Sequence, residues 1–324
     1  MNFWQSLPKS FLVLAPMDDV TDTVFRQIVA RIAAPDVFFT EFTNADGYCS
    51  PGKAMVGRKL KFAPIELKIP LVAQIWGSNP DNYYTMAQDL AQQGFSGIDI
   101  NMGCPVREVV RHGCCSALIN DHSRAAAIIE ATKAGAGDLP VSVKTRIGFA
   151  TITTEDWASF LLGFDLAALT LHGRTAREMS KVPAHWDEIA KAVKLRDQLA
   201  PDTLIIGNGD VSSRSEASER VRETGVDGVM IGRGIFRNPF VFEAAAAEHS
   251  VAQRLGYLLT HLDLFEETWQ GQKSFEIMKK FVKIYISDFD GASELRQQIM
   301  VVNTSQAARS IVRAAMSQQQ LVAS

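Results

Sequence analysis

The sequence has few cysteines and little net charge, and it lacks long apolar runs. Its four cysteines include the adjacent Cys114 and Cys115, and their spacing suggests no disulfide framework, so we expect a reducing compartment. The formal net charge of −3 gives no sign that the whole chain binds a polyanion. The apolar stretch near the start is too short for a signal peptide, and no later run approaches a membrane span. We therefore expect a cytoplasmic protein without membrane association.

Short aliphatic runs, each followed by a longer amphipathic segment, recur along the first 245 residues. Their continuous apolar character is typical of parallel strands that are buried on both faces. The runs cover residues 11–17, 36–42, 70–77, 97–103, 140–148, 168–175, 203–211 and 228–234. Helical spacing follows, for example over 82–94 and 123–135. Eight such units predict an α/β fold, a (β/α)8 TIM barrel over residues 1–245, in preference to an open doubly wound sheet.

After about residue 243 the pattern changes to helices alone. We read residues 241–250 as the end of the last barrel helix and predict helices over 252–269, 273–289 and 292–301. These helices form a small all-helical C-terminal domain over residues 250–324. Residues 270–324 hold seven basic and four acidic residues, a net charge of +3. The segment "KKFVK" (279–283) places three lysines within one predicted helical turn, and on charge alone a solvated helix face is the favoured interpretation.

Polar residues gather where the predicted strands end, which is where a barrel carries its active site. Because strands have a period of two, Lys144 and Arg146 share one face, as do His172 and Arg174. Any one of these residues could be an ordinary strand-end residue, but a cluster drawn from six strands indicates a polar ligand. The cluster comprises Gln74, Asn101, Cys104, Lys144, Arg146, His172, Arg174, Asn208, Asp210 and Arg233.

Two glycine-containing loops narrow the ligand type. "GNGD" (207–210) and "IGRG" (231–234) follow the seventh and eighth strands, where barrels commonly bind phosphate. Arg233 offers a fork-shaped donor there, although each glycine alone is compatible with a simple tight turn. Lys144, His172 and Gln74 suit a ring that gains negative charge on reduction, as a flavin does. The pattern favours a phosphorylated, electron-accepting cofactor close to the thiol of Cys104.

Several motifs together resemble those of the tRNA-dihydrouridine synthases. They are "LAPMDDVTDTVFR" (14–26), "TEF" (40–42), "VAQIWG" (72–77), "IDINMGCP" (98–105), "VSVKTRIG" (141–148), "LHGRT" (171–175), "GNGDV" (207–211) and "VMIGRG" (229–234). The resemblance implies an FMN barrel whose helical domain grips tRNA, with NADPH as reductant. Hydride would pass from the flavin to C6 of a uracil, and Cys104 would give a proton to C5.

The resemblance also implies roles for individual residues, and no metal site. FMN binding falls to Pro16, Met17, Gln74, Lys144, His172, Asn208, Gly209, Asp210, Gly232 and Arg233. The resemblance implies that Asn101, Arg146 and Arg174 face the uridine or its backbone. It also makes Lys279, Lys280 and Arg296 candidates for contacts with tRNA phosphates. A thiol with its ordinary pKa of about 8.5 is mostly protonated at pH 7, so Cys104 needs no special tuning to act as an acid.

Two departures and two alternatives stay open. Cys114, Cys115 and Ser116 stand where the family commonly has smaller residues, and "AREMSKVPAHW" (176–186) replaces a Gly-Tyr element. The cysteines lack the paired spacing of zinc sites. The alternatives are a barrel flavoenzyme for a small molecule and a non-catalytic relative that binds tRNA. We expect a monomer, but the sequence does not decide the oligomeric state, the target uridine, or NADPH against NADH.

Overall fold

The structure is a computed structural model that describes residues 2–245 and 247–323. It divides into two compact units. The first unit runs to Thr23 and from Pro35 to Gly232, and the second holds Val24–Ala34 and the residues from Arg233 onward. Within the described residues, the structure has no helix that is both long and apolar enough to span a membrane.

The first unit contains one sheet in which all strand pairs are parallel. Its strands are β1 (Phe11–Leu14), β2 (Phe38–Phe39), β3 (Thr43–Asn44), β4 (Leu71–Trp76), β5 (Gly97–Met102), β6 (Val141–Arg146), β7 (Ala168–His172), β8 (Leu204–Asn208) and β9 (Gly228–Ile231). The order is β1-β9-β8-β7-β6-β5-β4-β2, and β3 also pairs with β4. A parallel bridge between Val13 and Val37 links β1 to the segment before β2. The predicted eight-stranded barrel is confirmed, with β2 and β3 as two pieces of its second strand.

Helices follow the strands and then continue alone to the end of the chain. They are α1 (Thr23–Ile32), α2 (Ala45–Tyr48), α3 (Lys53–Val56), α4 (Pro80–Ala91), α5 (Arg107–Arg111), α6 (His122–Ala136), α7 (Thr154–Leu162), α8 (Trp186–Leu199), α9 (Arg214–Thr224), α10 (Val251–Trp269), α11 (Glu276–Lys279), α12 (Val282–Tyr285), α13 (Ala292–Met300) and α14 (Ser305–Ala323). Short 3-10 helices cover Phe3–Ser6, Gly57–Leu60, Pro64–Lys68, Cys115–Asn120 and Arg233–Phe236.

Aromatic side chains fill the barrel near the amino-terminal ends of its strands. The 3-10 helix Phe3–Ser6 precedes β1 and buries Trp4, whose ring lies 6.0 Å from that of Phe11 and 6.4 Å from that of Phe39. Val13, Val72 and Met230 belong to the same buried cluster. Because this end of the barrel is packed with apolar groups, the polar groups at the carboxyl ends of the strands define the functional end.

The second unit combines α1 with helices α10 to α14. The Phe25 ring of α1 lies 4.9 Å from the Phe281 ring and 6.4 Å from the Phe236 ring. The Nδ1 atom of His261 in α10 lies 2.9 Å from the Tyr285 hydroxyl of α12. These contacts place α1 with the C-terminal helices in this unit. The division into a barrel domain over residues 1–245 and a helical domain over 250–324 stays a prediction.

Two expected helices differ from the prediction. The predicted helix over 273–289 is replaced by the short helices α11 and α12, so the lysines of "KKFVK" do not share one continuous helical turn. Lys280 and Phe281, which separate the two helices, keep helical backbone angles, so the interruption is confined to these two residues. The described part of residues 241–250 is not helical, and a 3-10 helix over Arg233–Phe236 follows β9.

Candidate active site

A buried hydrogen-bond network joins strands β4, β5 and β6 inside the barrel. Gln74 donates from Nε2 to Asp99 Oδ2 at 2.7 Å, and the Ser142 hydroxyl donates to Asp99 Oδ1 at 2.6 Å. Desolvation raises the pKa of Asp99 to about 6, although both hydrogen bonds and the Lys144 charge act to lower it. The network fixes the amide of Gln74, since Asn101 Nδ2 also donates to Gln74 Oε1 at 3.0 Å.

Asn101 shapes the turn that carries Cys104. Its Oδ1 accepts hydrogen bonds from the backbone N–H groups of Gly103 and Cys104, each at 3.0 Å. Asn101 lies two residues beyond Asp99 on the same face of β5, so the buried network and this turn form one continuous assembly. Asn101 therefore holds the thiol-bearing backbone at the end of β5.

The thiol of Cys104 is electrostatically tuned. A hydrogen bond with the Cys115 thiol lowers its pKa to about 7, with help from the Val106 backbone and the Arg146 charge and against the effects of desolvation and Asp18. This value lies below the ordinary thiol pKa assumed from the sequence. A group with a pKa close to the operating pH is well matched to proton transfer. Cys104 is partly exposed at the end of β5.

Lys144 is a cationic residue at the carboxyl end of the barrel strands. It lies on β6 beside Asn101 in the parallel register, and its Nζ donates to Asn208 Oδ1 at 3.2 Å. The side chain keeps some exposure, but desolvation of the ammonium group, followed by the Arg146 charge, lowers its pKa to about 8. An anionic partner stabilises the charged form of such a desolvated lysine.

The two arginines predicted to face the substrate are buried against protein groups. Arg146 donates to the carbonyl oxygens of Gly103 at 2.7 Å, Thr175 at 3.0 Å and Met179 at 3.1 Å. Arg174 forms an ion pair with Asp210 and lies 3.2 Å from His172 Nε2. Arg146 therefore links the end of β6 to the loops after β5 and β7, and Arg174 links the loop after β7 to the loop after β8. A substrate role for either arginine stays a prediction.

The remaining predicted cofactor residues surround the ends of β1, β8 and β9. Asn208 donates from Nδ2 to the Met230 carbonyl at 2.8 Å, and Met17 N–H donates to the Thr21 hydroxyl at 2.8 Å. Gly209 has a φ of 140°, and a Cβ there would lie 2.6 Å from the Ala184 Cβ, so only glycine fits. Pro16 precedes Met17 after β1, and Gly232 and Arg233 directly follow β9.

The three predicted tRNA-contacting residues lie in the second unit and differ in how exposed their side chains are. Lys279 Nζ forms an ion pair with Glu276 Oε1 at 2.6 Å and is mostly buried. Arg296 donates to the Ile286 carbonyl at 2.8 Å. Lys280 is exposed, as is Lys283, which sequence analysis noted only within "KKFVK". Lys280 and Lys283 are thus the more accessible cations.

Sequence reasoning missed two residues of the site. Asp99 was treated as part of an apolar strand, although a carboxylate inside a buried run is itself a signal of a polar network. Cys115 was noted only as a departure from the family pattern. Its contact with Cys104 depends on how the chain folds back after α5, which spacing does not reveal.

The fold and the site define a (β/α)8-barrel enzyme in which a lysine, amides and a tuned thiol meet at the carboxyl ends of the strands. One family model matches nearly the whole chain. The family model described as dihydrouridine synthase (Dus) matches residues 13–321, and the chain belongs to that family. It is therefore an oxidoreductase.

The chain is similar in sequence to curated relatives over nearly its whole length. The chain is 48% identical over 314 residues to "Probable tRNA-dihydrouridine synthase 2" of Bacillus subtilis (strain 168), covering 96% of this chain and 95% of the relative. The same identity and coverage hold for "Probable tRNA-dihydrouridine synthase" of Staphylococcus epidermidis (strain RP62A). Among solved structures, DHODH from Eimeria tenella in complex with ferulenol shares the fold, with a TM-score of 0.53, 15% identity, and 71% of this chain and 78% of that chain covered.

Proposed function

We propose that the protein is a tRNA-dihydrouridine synthase that reduces the C5–C6 double bond of uridines in tRNA to 5,6-dihydrouridine. FMN is its cofactor, NADPH its reductant and the cytoplasm its place of action. Family membership and the names of the relatives support this proposal. The observation that carries it is the position of Cys104 and Lys144 at the same end of the barrel, where Asn101 pairs with Lys144 in the sheet and accepts a hydrogen bond from the Cys104 backbone.

The residues present fit a flavin mononucleotide. Gln74 is fully buried, and its amide holds the side chains of Asp99 and Asn101 beside Lys144. Lys144 and His172 supply positive or donor groups for negative charge on the ring. Asn208, Gly232 and Arg233 are the proposed phosphate contacts. When bound, the flavin supplies the hydride for C6 of uracil.

Cys104 supplies the proton. Its S–H bond breaks as the new C–H bond forms at C5, and the thiolate that remains lies near the Val106 N–H and the Arg146 charge. The Asn101 side chain holds the Cys104 backbone in place through two hydrogen bonds, so the sulfur is oriented before the substrate arrives.

The substrate base has to leave its stack to reach a barrel interior, and loop regions of RNA permit this at low cost. Phosphate contacts then position the tRNA without reading its sequence. Lys280 and Lys283 are exposed on the second unit and are the proposed contacts, with Arg296 and Lys279 as further cations.

Two measurements test the proposal. A purified protein that is yellow, with flavin absorbance, supports the cofactor. Mass spectrometry of tRNA incubated with the protein and NADPH, starting from tRNA of cells that lack the gene, should show new dihydrouridine. Unmodified tRNA in the presence of a flavin that NADPH reduces would refute the tRNA substrate and favour a small-molecule oxidoreductase. Bound tRNA without flavin turnover would instead indicate a non-catalytic relative.

A further inference from the structure

Asp99 carries a carboxyl group inside the barrel that the proposed reaction does not use. Its side chain is fully buried on β5, and in the sheet it pairs with Gln74 of β4 on one side and Ser142 of β6 on the other. Asp99 accepts a hydrogen bond from each neighbour, at 2.7 Å on Oδ2 and at 2.6 Å on Oδ1. A carboxyl group is costly to bury, so its presence at this position needs a physical reason.

The hydrogen bonds between Asp99 and the Cys104 backbone form a chain with a single direction. The backbone N–H groups of Gly103 and Cys104 can only donate, so the Asn101 atom that faces both of them at 3.0 Å must be the amide oxygen. The Asn101 nitrogen then faces Gln74, which presents its own oxygen at 3.0 Å. The Gln74 nitrogen is thereby turned toward position 99, which must supply an acceptor.

Asp99 supplies this acceptor whether or not it carries a proton. The ionised carboxylate accepts at both oxygens. In the protonated acid, the proton can lie on Oδ1 and be donated to the Ser142 hydroxyl, so that Oδ2 still accepts from Gln74. The direction of the chain is therefore the same in both protonation states.

A side chain without an acceptor at position 99 would remove what fixes this direction. Gln74 is fully buried, so water does not replace a lost partner of its amide. Once the Gln74 amide turns over, its nitrogen faces the Asn101 nitrogen, and two donors oppose each other. If Asn101 turns over in response, its nitrogen faces the N–H groups of Gly103 and Cys104. A change at position 99 thus reaches the Cys104 backbone through two amides.

We propose that Asp99 is a positioning residue, whose carboxyl oxygen fixes the direction of the hydrogen-bond chain through Gln74 and Asn101 and thereby holds the turn that carries Cys104. This inference rests on the proposed function, in which the Cys104 thiol gives a proton to the substrate. Asp99 lies two residues before Asn101 on the same face of β5 and is buried, so it acts through the two amides and takes no part in bond making.

The test compares Asp99→Leu, which has a similar shape but no acceptor, with Asp99→Asn, which keeps one. The amide of Asp99→Asn can accept from Gln74 with its oxygen and donate to the Ser142 hydroxyl with its nitrogen, as the protonated acid does. If Asp99→Leu does not fold, Asp99→Ala removes the same acceptor without added apolar atoms. Ser142→Ala is the matched control, because it removes the other hydrogen bond of the carboxyl and leaves the Gln74 contact in place.

Hydrogen exchange of the Gly103 and Cys104 backbone N–H groups measures how firmly the turn is held. Mass spectrometry of peptic peptides that cover residues 99–106 reports on both groups, and Pro105 adds none. We expect exchange there to be about tenfold faster in Asp99→Leu, because both N–H groups lose their acceptor, and unchanged in Asp99→Asn and Ser142→Ala. Peptides that cover β8 should exchange at the wild-type rate in every variant.

Three results would overturn the inference. The first is unchanged exchange over residues 99–106 in Asp99→Leu, or in Asp99→Ala where that variant takes its place. The second is an equal increase in the β8 peptides, because it would mean that the whole barrel has loosened. The third is an Asp99→Asn variant that exchanges as fast as the leucine variant, because the acceptor would then not be what holds the turn.

Single-turnover kinetics separate this inference from the proposed function. After reduction of the flavin, Asp99→Leu should form dihydrouridine about tenfold more slowly than the wild type, because the thiol is less well placed, and Asp99→Asn should recover the rate. Flavin reduction by NADPH should be affected less than this step. An active wild type and an equally fast Asp99→Leu variant would refute the positioning role. No dihydrouridine from the wild type would refute the proposed function, while hydrogen exchange would still decide whether Asp99 holds the turn.

Discussion

Cys104 is the residue on which the proposed chemistry depends most directly. Replacing it with alanine removes the proton donor but leaves Gln74, Lys144 and the glycine loop intact. We expect Cys104→Ala to bind flavin and accept electrons from NADPH, and to form dihydrouridine at least 100-fold more slowly, within the usual range for loss of a general acid. Stopped-flow flavin absorbance and mass spectrometry of tRNA measure the two half-reactions separately.

Cys49→Ala is the matched control for that variant. Cys49 is exposed at the end of α2, and its thiol lies 3.5 Å from the Asn82 carbonyl. We expect dihydrouridine formation at the wild-type rate. Full activity in Cys104→Ala would remove Cys104 as the acid, and an equal loss in both variants would indicate a general effect of removing thiols.

Lys144 gives the flavin site a predictable pH dependence. Its pKa is lowered to about 8 in the free protein, so its positive charge is present below pH 8 and is lost as the pH rises through 8. We expect reduced flavin, which is anionic, to bind more weakly at pH 9 than at pH 7. In Lys144→Met, affinity at pH 7 should fall about tenfold or more, and the dependence between pH 7 and 9 should vanish.

Anaerobic titration of the apoprotein with reduced FMN measures this effect. Riboflavin serves as a matched ligand, because it has the ring without the phosphate and therefore isolates the ring contact. If the wild type and Lys144→Met show the same pH dependence, the charge that faces the ring comes from another group.

At the residue scale, the sequence predicted where polar residues gather, but it did not predict their hydrogen-bond partners within the protein. Period and strand order place Gln74, Asn101 and Lys144 at one end of the barrel. Side-chain hydrogen bonds depend on rotamers and on loops that return to the strand ends, so spacing alone cannot reveal the Asp99 contact or the Cys115 contact. The lowered pKa of Cys104 follows from such a contact and was therefore missed.

The network across β4, β5 and β6 has its own pH signature. Burial raises the pKa of Asp99 to about 6, so the folded state holds this proton more tightly than the unfolded chain does. The free energy of unfolding should therefore fall as the pH rises from about 4 to about 6, by up to about 3 kcal/mol. Asp99→Asn removes that loss, since its amide can still accept from Gln74 and meet the Ser142 hydroxyl.

Chemical denaturation of both proteins from pH 4 to 7 measures the difference. We expect the stability of Asp99→Asn relative to the wild type to increase over this range and to be constant above it. A difference that does not change with pH would mean that Asp99 titrates near its ordinary value in the folded protein.

Strands and long helices were predictable, whereas short and interrupted elements were not. The runs around β4, β5 and β6 are strongly apolar, and both faces of these strands are buried from solvent, so the sequence pattern and the structure agree. β2 and β3 are two residues each, too short for periodicity to separate. The break between α11 and α12 arises where β-branched and aromatic residues pack in the core, because tertiary contacts there outweigh helical spacing.

For the whole molecule, charge is distributed unevenly along the chain. The total of −3 conceals a net +3 over residues 270–324, and that basic segment lies in the second unit, where exposed and ion-paired lysines occur side by side. Counting charges from sequence treats these lysines as equal. The structure distinguishes them, because Lys279 is already paired with Glu276 while Lys283 is exposed.

Lys283→Glu tests whether the second unit contacts tRNA phosphates. Reversing an exposed charge that meets a phosphate should weaken binding and reduce the slope of log affinity against log salt by about one, because fewer counterions are released. Lys194→Glu on α8 is the control, since Lys194 is exposed and the change in net charge is identical. Equal effects of both variants would reflect net charge alone, and an unchanged slope in Lys283→Glu would mean that this lysine belongs to a solvated face.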